Sequence, residues 1–188
     1  MEEVVQPASA TKRQSRQALI ACIGNIFWGD DGFGVEVAQR LLARQYPEGI
    51  RVVDFGIRGM DLAYALLDDY DELVLVDAVP RAGAPGTLYL LEPDLSGISP
   101  ATGVEAGRAA LDNHSMDPVK VLAYARALGA KPIHTLLVGC EPVPLSAGED
   151  YPEMHMGLSA PVQAAVDEAV KMIDSLVEQM LAGEHAKK

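Results

Sequence analysis

Two short, almost unbroken apolar runs lie early in the chain, ALIACI at 18–23 and ELVLVDAV at 72–79. Runs of this length are typical of strands buried on both faces, which occur in parallel sheets covered by helices. A third strand-like segment, IRVVDF at 50–55, lies between them, and apolar residues recur at helical spacing before and after it, at 35–42 and 59–67. The order strand, helix, strand, helix, strand predicts a parallel sheet with right-handed crossovers.

The second half of the chain completes this sheet. Residues 86–91 follow the strand at 72–79 too closely for a crossover helix, so we expect them to pair antiparallel at or near a sheet edge. A helix at 118–128, a strand at 133–140 and a long amphipathic helix beginning after Ser159 follow. The sequence therefore predicts a single-domain, three-layer α/β sandwich, in which helices flank a twisted, mostly parallel sheet with one antiparallel strand.

Length and composition limit the class of protein. The 188 residues suit one domain over 18–182, with tails at 1–17 and 183–188 that we expect to be disordered. A formal net charge of −12 argues against a nucleic-acid partner, because so acidic a surface repels phosphate backbones. Two cysteines favour a cytoplasmic protein without a disulfide framework. No apolar run approaches the ~20 residues that span a bilayer, so no membrane partner is expected.

Acidic residues follow two predicted strands. Asp30 and Asp31 come after the first strand in a glycine-rich loop, and Asp77 ends the apolar part of the run at 72–79. Each has a plain structural interpretation, which is helix capping for Asp30 and Asp31 and hydrogen bonding to loop amides for Asp77. If the strand order is 2-1-3, however, Asp31 and Asp77 open into one crevice at the carboxyl ends of the strands. Two facing carboxylates there need a cation or a shared proton.

His114 is the histidine best placed to join these carboxylates. It precedes the helix at 118–128, which starts at the same end of the sheet. One histidine with two carboxylates suits a divalent ion such as nickel or zinc, although a solvent-exposed loop histidine is the plainer interpretation. His134 is expected at the opposite end of the sheet, whereas His155 lies in an irregular segment that can reach the crevice.

Other residues carry weaker signals. Cys22 and Cys140 fall in buried strands without an adjacent base, so covalent cysteine catalysis is not expected. Neither a GxSxG elbow nor a convincing dinucleotide fingerprint is present. Phe27 and Trp28 either cover the sheet edge or form an exposed apolar wall for a peptide. Four acidic residues form either a solvated loop or a rim that steers a basic tail, namely Glu141, Glu149, Asp150 and Glu153.

Several short motifs appear in a fixed order from about residue 18 to residue 181. They are GN at 24–25, GDDGFG at 29–34, DFGIRGMDL at 54–62, VDA at 76–78, PGT at 85–87, His114, GCEP at 139–142 and GLS at 157–159. In this order they resemble the [NiFe]-hydrogenase maturation endopeptidases. The first block together with the VDA block is fairly specific, whereas GLS alone would not be.

The resemblance implies a function and a set of site residues. The family removes a C-terminal peptide from the hydrogenase large-subunit precursor after nickel insertion, and its fold is a twisted sheet flanked by helices. Asp31, Asp77 and His114 match the family's metal-binding positions. The nickel is expected to arrive on the substrate, other divalent ions are expected to occupy the site in vitro, and the protein is expected to be a monomer. Substrate contacts are expected from four further residues, Asn25, Gly56, Arg58 and Gly59.

Two mechanisms follow from the resemblance and stay open at this point. In the first, Asp31, Asp77 and His114 complete the coordination of the nickel, which polarises the scissile carbonyl or lowers the pKa of a water. In the second, nickel is a docking mark, and Asp31 or Asp77 is the general base of an aspartic-type hydrolysis. One alternative is a nickel-dependent chaperone that binds the large subunit without cutting it. Another is a peptidyl-tRNA hydrolase-like enzyme, which the negative net charge of the chain disfavours.

Overall fold

A five-stranded sheet organises the residues that the computed structural model describes, 16–93, 118–144 and 154–183. Its strands are β1 (Ala18–Ile23), β2 (Ile50–Gly56), β3 (Glu72–Ala78), β4 (Leu88–Leu91) and β5 (His134–Cys140). They lie in the order β2-β1-β3-β5-β4, and β4 pairs antiparallel with β5 at one edge while all other pairs are parallel. The predicted neighbours of β1 and the predicted antiparallel edge strand are both confirmed.

Helices cover both faces of this sheet. Within the described residues they are α1 (Phe33–Leu42), α2 (Gly59–Ala65), α3 (Pro118–Ala127) and α4 (Ala160–Ala182). Helices α1 and α4 pack on one face, and α2 and α3 pack on the other. None of them combines the length and the apolar character that crossing a bilayer requires. The predicted three-layer α/β sandwich is therefore confirmed.

Strand β1 is buried along its whole length because helices cover both faces of the sheet at this strand. Its successive residues alternate between two cores, one beneath α1 and α4 and the other beneath α2 and α3. A strand covered on both faces needs apolar residues at every position, which is why its sequence is a continuous apolar run.

Helix α1 begins directly over the carboxyl ends of β1 and β3. A Cβ atom at Gly34 would lie 2.1 Å from the carbonyl oxygen of Ile23 and 2.4 Å from that of Val76. The approach is possible because glycine has no side chain. The loop between β1 and α1 is thereby held at the edge where the parallel strands end, which is the usual position of ligand sites in open α/β sheets.

Element boundaries differ from the prediction where turns intervene. Strand β4 begins at Leu88 rather than at residue 86, because Gly86 has a φ of 83° and the Thr87 amide donates to the carbonyl oxygen of Ala84 at 3.0 Å. Helix α2 ends at Ala65 rather than at residue 67. The predicted tails at 1–17 and 183–188 lie, apart from residues 16, 17 and 183, outside the described residues.

Candidate active site

Asp31 and Asp77 lie at the same edge of the sheet, as the strand order predicts. Asp31 belongs to a short 3-10 turn, Gly29–Gly32, between β1 and α1, and Asp77 is the penultimate residue of β3. Strands β1 and β3 are hydrogen-bonded neighbours, with Cys22 opposite Val76 in register. The two carboxylates therefore share one crevice at the carboxyl ends of the parallel strands.

Burial disfavours the ionised forms of both carboxyls, and the charge of Asp31 adds to this effect at Asp77. Burial first, and then the charge of Asp31, hold the pKa of Asp77 well above its usual range, although the Ala78 amide donates to Asp77 Oδ1 at 2.8 Å. Burial also raises the pKa of Asp31, and a hydrogen bond from the Asn25 amide offsets part of the rise. Within the described residues neither carboxylate forms an ion pair. A cation or a shared proton at the crevice would relieve the repulsion.

The third predicted metal ligand, His114, lies outside the described residues. Among the residues that the structure does describe, no three metal-ligating side chains converge. The structure therefore brings Asp31 and Asp77 together, and the ligand role of His114 stays a prediction.

The loop between β1 and α1 is built around Asp31. The Asn25 amide donates to the carbonyl oxygen and to Oδ2 of Asp31, each at 3.0 Å, and Asn25 Oδ1 accepts from the Phe27 amide at 3.0 Å. Gly24 has a φ of 144°, and a Cβ atom there would lie 2.1 Å from the Asp31 carbonyl oxygen. Gly24 and Asn25 thus position Asp31, whereas contact between Asn25 and a substrate stays a prediction.

Neither Asp30 nor Asp31 caps a helix, so the capping interpretation of the sequence is wrong. The buried Asp30 carboxylate accepts hydrogen bonds from the Ser159 amide at 2.6 Å, the Ser159 hydroxyl at 2.9 Å and the Val143 amide at 2.8 Å. Ser159 precedes α4 as predicted, but its hydroxyl bonds Asp30 instead of capping that helix. Asp30 therefore clamps the β1–α1 loop to the segment after β5 and to the start of α4.

Asp30→Ala is expected to destabilise the fold by about 3 kcal/mol, because it removes the shared acceptor of two amides and a hydroxyl. Urea unfolding followed by circular dichroism measures the change. Asp167→Ala is the control, since the Asp167 side chain is 76% exposed and pairs only across the surface of α1 and α4. Equal losses of unfolding free energy in the two variants would contradict the clamp.

Asp54, at the end of β2, is a further carboxylate at this edge that the sequence argument does not assign to the site. It lies opposite Cys22 in register, and its buried Oδ1 has no hydrogen-bond partner within the described structure. A buried oxygen without a partner is costly and is characteristic of positions kept for a ligand or for chemistry. The sequence signal is an acid at the end of a strand, the same signal that singles out Asp77.

Three of the residues that are predicted to contact the substrate follow Asp54 along the chain. Gly56 has a φ of 52°, and its carbonyl oxygen accepts a hydrogen bond of 3.1 Å from the residue after β1. The exposed Arg58 guanidinium lies 3.1 Å from the Asp61 carboxylate and donates to the Asp54 carbonyl oxygen. Gly59 is the first residue of α2. These contacts join the end of β2 to the end of β1, and the contact of this segment with a substrate stays a prediction.

Glu141 is buried, so it is not part of an exposed acidic rim. Its two carboxylate oxygens accept from the Arg81 amide, at 2.9 Å each, and Oε2 also accepts from the Tyr89 hydroxyl at 2.7 Å. Burial raises the pKa of Glu141, but these bonds and those from the amides of Ala82 and Gly83 outweigh it and lower the pKa overall. The segment after β3 is thus wrapped around an internal anion. The other predicted rim residues lie outside the described residues, namely Glu149, Asp150 and Glu153.

Glu141→Gln is expected to loosen the segment after β3. The substituted side chain accepts through one oxygen only and lacks the charge that strengthens the bonds from the Arg81, Ala82 and Gly83 amides. Hydrogen exchange at these three amides should become several-fold faster by nuclear magnetic resonance. Glu178→Gln, at an exposed position on α4, should leave their exchange unchanged. Full protection of the amides in Glu141→Gln would show that the anion does not hold the segment.

Phe27 and Trp28 are both exposed, so they form an apolar wall rather than a cover for the sheet edge. His155 lies against them through its backbone, because its amide donates to the Phe27 carbonyl oxygen at 3.0 Å and its carbonyl oxygen accepts from the Gly29 amide at 2.7 Å. Trp28 and His155 form a parallel bridge. The segment that carries His155 therefore reaches the loop that carries Asp31.

The predicted position of His134 and the predicted burial of the two cysteines are confirmed. His134 begins β5 at the opposite end of the sheet, where its Nδ1 lies 2.5 Å from Glu72 Oε2. Cys22 and Cys140 are free and buried. Burial, and then neighbouring carboxylates, raise the pKa of both thiols, that of Cys140 to about 12. Thiols with such pKa values stay protonated and are poor nucleophiles.

Comparisons with known proteins agree on one kind of relative. The family model described as hydrogenase maturation protease matches residues 35–176. The hydrogenase expression/formation protein HupM of Azotobacter chroococcum is 36% identical over 157 residues, which cover 83% of this chain and 69% of that protein. The hydrogenase maturating endopeptidase HybD from E. coli matches with a TM-score of 0.64 and 26% identity, over 87% of this chain and 93% of that one. The chain therefore belongs to the hydrogenase maturation protease family.

Proposed function

We propose that the protein is an endopeptidase that removes the C-terminal extension of a [NiFe]-hydrogenase large-subunit precursor after nickel insertion. Family membership supports the activity, because the similar structures include a hydrogenase maturating endopeptidase. The observation that carries the proposal is the Asp31–Asp77 crevice, where burial and then the charge of Asp31 raise the pKa of Asp77, and where neither carboxyl has a cationic partner in the described residues. Such a crevice suits a substrate that brings a metal ion.

The donor set at the crevice fits a divalent ion carried by the substrate. Asp31 and Asp77 offer carboxylate oxygens, and His114 would add an imidazole nitrogen, a combination that suits nickel and zinc. A cation would also offset the repulsion that raises the pKa of Asp77. When bound, the nickel of the precursor would polarise the scissile carbonyl. We therefore expect other divalent ions to occupy this site in vitro.

Asp77 is the stronger candidate for a general base. Effective general bases have pKa values near the working pH, and burial, the largest cause of the shift, moves the pKa of Asp77 upward in that direction. In this role Asp77 would take a proton from the attacking water and return it to the leaving amide nitrogen. Asp31, which the Asn25 amide holds in place, is assigned to orienting the metal-bearing substrate.

Intact-mass analysis of a nickel-loaded precursor tests the proposal. The purified protein should release a discrete C-terminal peptide from that precursor and should leave nickel-free precursor at its full mass. Binding without a loss of mass would favour the alternative of a nickel-dependent chaperone, and no binding to any large subunit would contradict both functions. Family membership and the net charge of −12 favour both over a peptidyl-tRNA hydrolase-like enzyme.

We further propose that the protein acts as a monomer in the cytoplasm, without nucleic-acid or membrane partners. Its two free, buried cysteines are in keeping with a reducing compartment. Light scattering on the purified protein measures the oligomeric state directly.

A further inference from the structure

A group of large apolar side chains lies exposed next to the carboxylate crevice. Phe27 and Trp28 are 45% and 43% exposed, and Met154 and Met156 are 76% and 65% exposed. We refer to these four residues as the apolar platform. Scattered apolar residues on a surface are ordinary, but large ones concentrated in two adjoining segments mark an interaction site.

Backbone bonds fix the platform to the crevice. His155, which lies between the two methionines, pairs with Phe27 and Gly29 through hydrogen bonds of 3.0 and 2.7 Å. The methionines therefore flank the bridge between His155 and Trp28. Asp31 belongs to the turn that begins at Gly29.

The charges around the platform indicate which partner covers it. Residues 26–28 and 154–156 include no Asp, Glu, Lys or Arg. A partner that buries these residues therefore does not have to desolvate a carboxylate, an ammonium or a guanidinium group there. The adjoining crevice holds the carboxyl groups of Asp31 and Asp77, and no cationic side chain pairs with either of them within the described residues. A complementary partner thus presents apolar side chains beside a positive charge.

A second copy of this chain does not have that complementarity. A two-fold contact through the platform would place the carboxyl pairs of two chains next to each other. It would also join two chains that each carry a net charge of −12. Charge repulsion therefore disfavours self-association through this surface.

We propose that the apolar platform is the docking surface for an apolar peptide segment of the precursor, next to the metal ion that the precursor presents to Asp31 and Asp77. The inference rests on the proposed function and adds the chemistry of the segment that is recognised. Large aliphatic or aromatic side chains of that segment pack on Trp28 and on the methionines, whose unbranched side chains adapt to irregular surfaces. The platform contributes to substrate affinity and not to the bond-cleaving step.

Steady-state cleavage of nickel-loaded precursor by Trp28→Ala and Met154→Ala tests the inference. We expect KM to rise about tenfold in Trp28→Ala at unchanged kcat, because truncation of a central aromatic contact commonly weakens binding by that factor or more. Met154→Ala should show a smaller rise, and Trp28→Phe should recover most of the loss. Leu42→Ala and Leu181→Ala, exposed positions on α1 and α4, are controls that should keep the original KM.

Titration with Ni²⁺ alone and thermal unfolding separate docking from damage to the crevice. A raised KM in Trp28→Ala, with unchanged Ni²⁺ affinity and melting temperature, supports the inference. An unchanged KM overturns it, and so does a lower kcat accompanied by weaker Ni²⁺ binding. A dimer that dissociates in Trp28→Ala as its only effect assigns the surface to a second copy and also overturns it. Failure of the unmodified protein to cleave or bind the precursor overturns the proposed function, and this inference with it.

Discussion

Asp77→Asn is expected to slow precursor cleavage by about a thousandfold while the protein stays folded. Asparagine keeps the shape of the side chain, but it offers no negative charge to a metal ion and cannot accept a proton from water. Loss of a positioned acid–base group commonly costs about 10²- to 10⁴-fold in rate. Time courses of intact precursor mass measure the effect.

The control for this experiment is Asp68→Asn. Asp68 is 67% exposed and pairs with Arg51 near the start of β2, at the end of the sheet away from the crevice. This variant should cleave the precursor at the original rate. Cleavage by Asp77→Asn at a similar rate would remove Asp77 from the mechanism.

The same Asp77→Asn substitution is expected to stabilise the metal-free protein at neutral pH. Burial and the charge of Asp31 raise the pKa of Asp77 in the folded state. A raised folded-state pKa means that folding favours the protonated form, so the unmodified protein loses stability as pH rises from the unfolded-state pKa, about 3.9, through the folded-state pKa. Each tenfold difference in proton affinity between the two states is worth about 1.4 kcal/mol.

Urea unfolding at pH 7 and near pH 4 measures this gain. Asparagine does not titrate, so its advantage over aspartate should be largest at pH 7 and should shrink toward pH 4. Equal differences in unfolding free energy at the two pH values would show that charge is not the cause.

Gly34→Ala is expected to destabilise the protein by about 3 kcal/mol or more. Alanine normally favours a helix over glycine by about 1 kcal/mol, so a loss reports the close approach and not helix propensity. The added Cβ would meet the carbonyl oxygens of Ile23 and Val76 at 2.1 and 2.4 Å. Both are strand backbone atoms, which can move only if the sheet edge beneath α1 opens.

Urea unfolding measures this effect, and Gly32→Ala, two residues earlier at the start of α1, is the matched control. A Cβ atom at Gly32 would have its nearest contact at 3.2 Å, on Ile26 Cα, so it requires a shift of only a few tenths of an ångström. Similar losses of unfolding free energy in the two variants would contradict the special role of Gly34. Gly34→Ala should also weaken Ni²⁺ binding, because the displaced strand ends carry Asp77 and the loop of Asp31.

The crevice could be predicted from sequence because parallel strands bring their carboxyl ends to one edge. Asp31 follows β1 and Asp77 ends β3, and these strands are neighbours in the sheet. Their adjacency follows from two connections that are long enough for crossover helices, together with apolar runs that need both faces covered.

Contacts between distant loops could not be predicted in the same way. Asp30 bonds Val143 and Ser159, which are 113 and 129 residues away along the chain. Locally, Asp30 is an acid before a helix, a pattern that favours capping. Glu141 likewise follows a strand within an acidic segment, a pattern that favours exposure, whereas the fold of the Arg81 loop buries it. No local spacing relates these partners, so only the folded chain reveals them.

The hydrogen bonds of Asp30 to residues far along the chain affect the order in which the site is completed during protein synthesis. Strands β1, β2 and β3, with Asp31 and Asp77, lie within residues 18–78, so they leave the ribosome first. The groups that hold Asp30 arrive only with residues 143 and 159. A nascent chain that has reached residue 78 carries both carboxylates, but Asp30 lacks the partners that hold this loop to the segments after β5. If the proposed function holds, we expect a chain truncated before residues 143 and 159 to be inactive although it retains both acids.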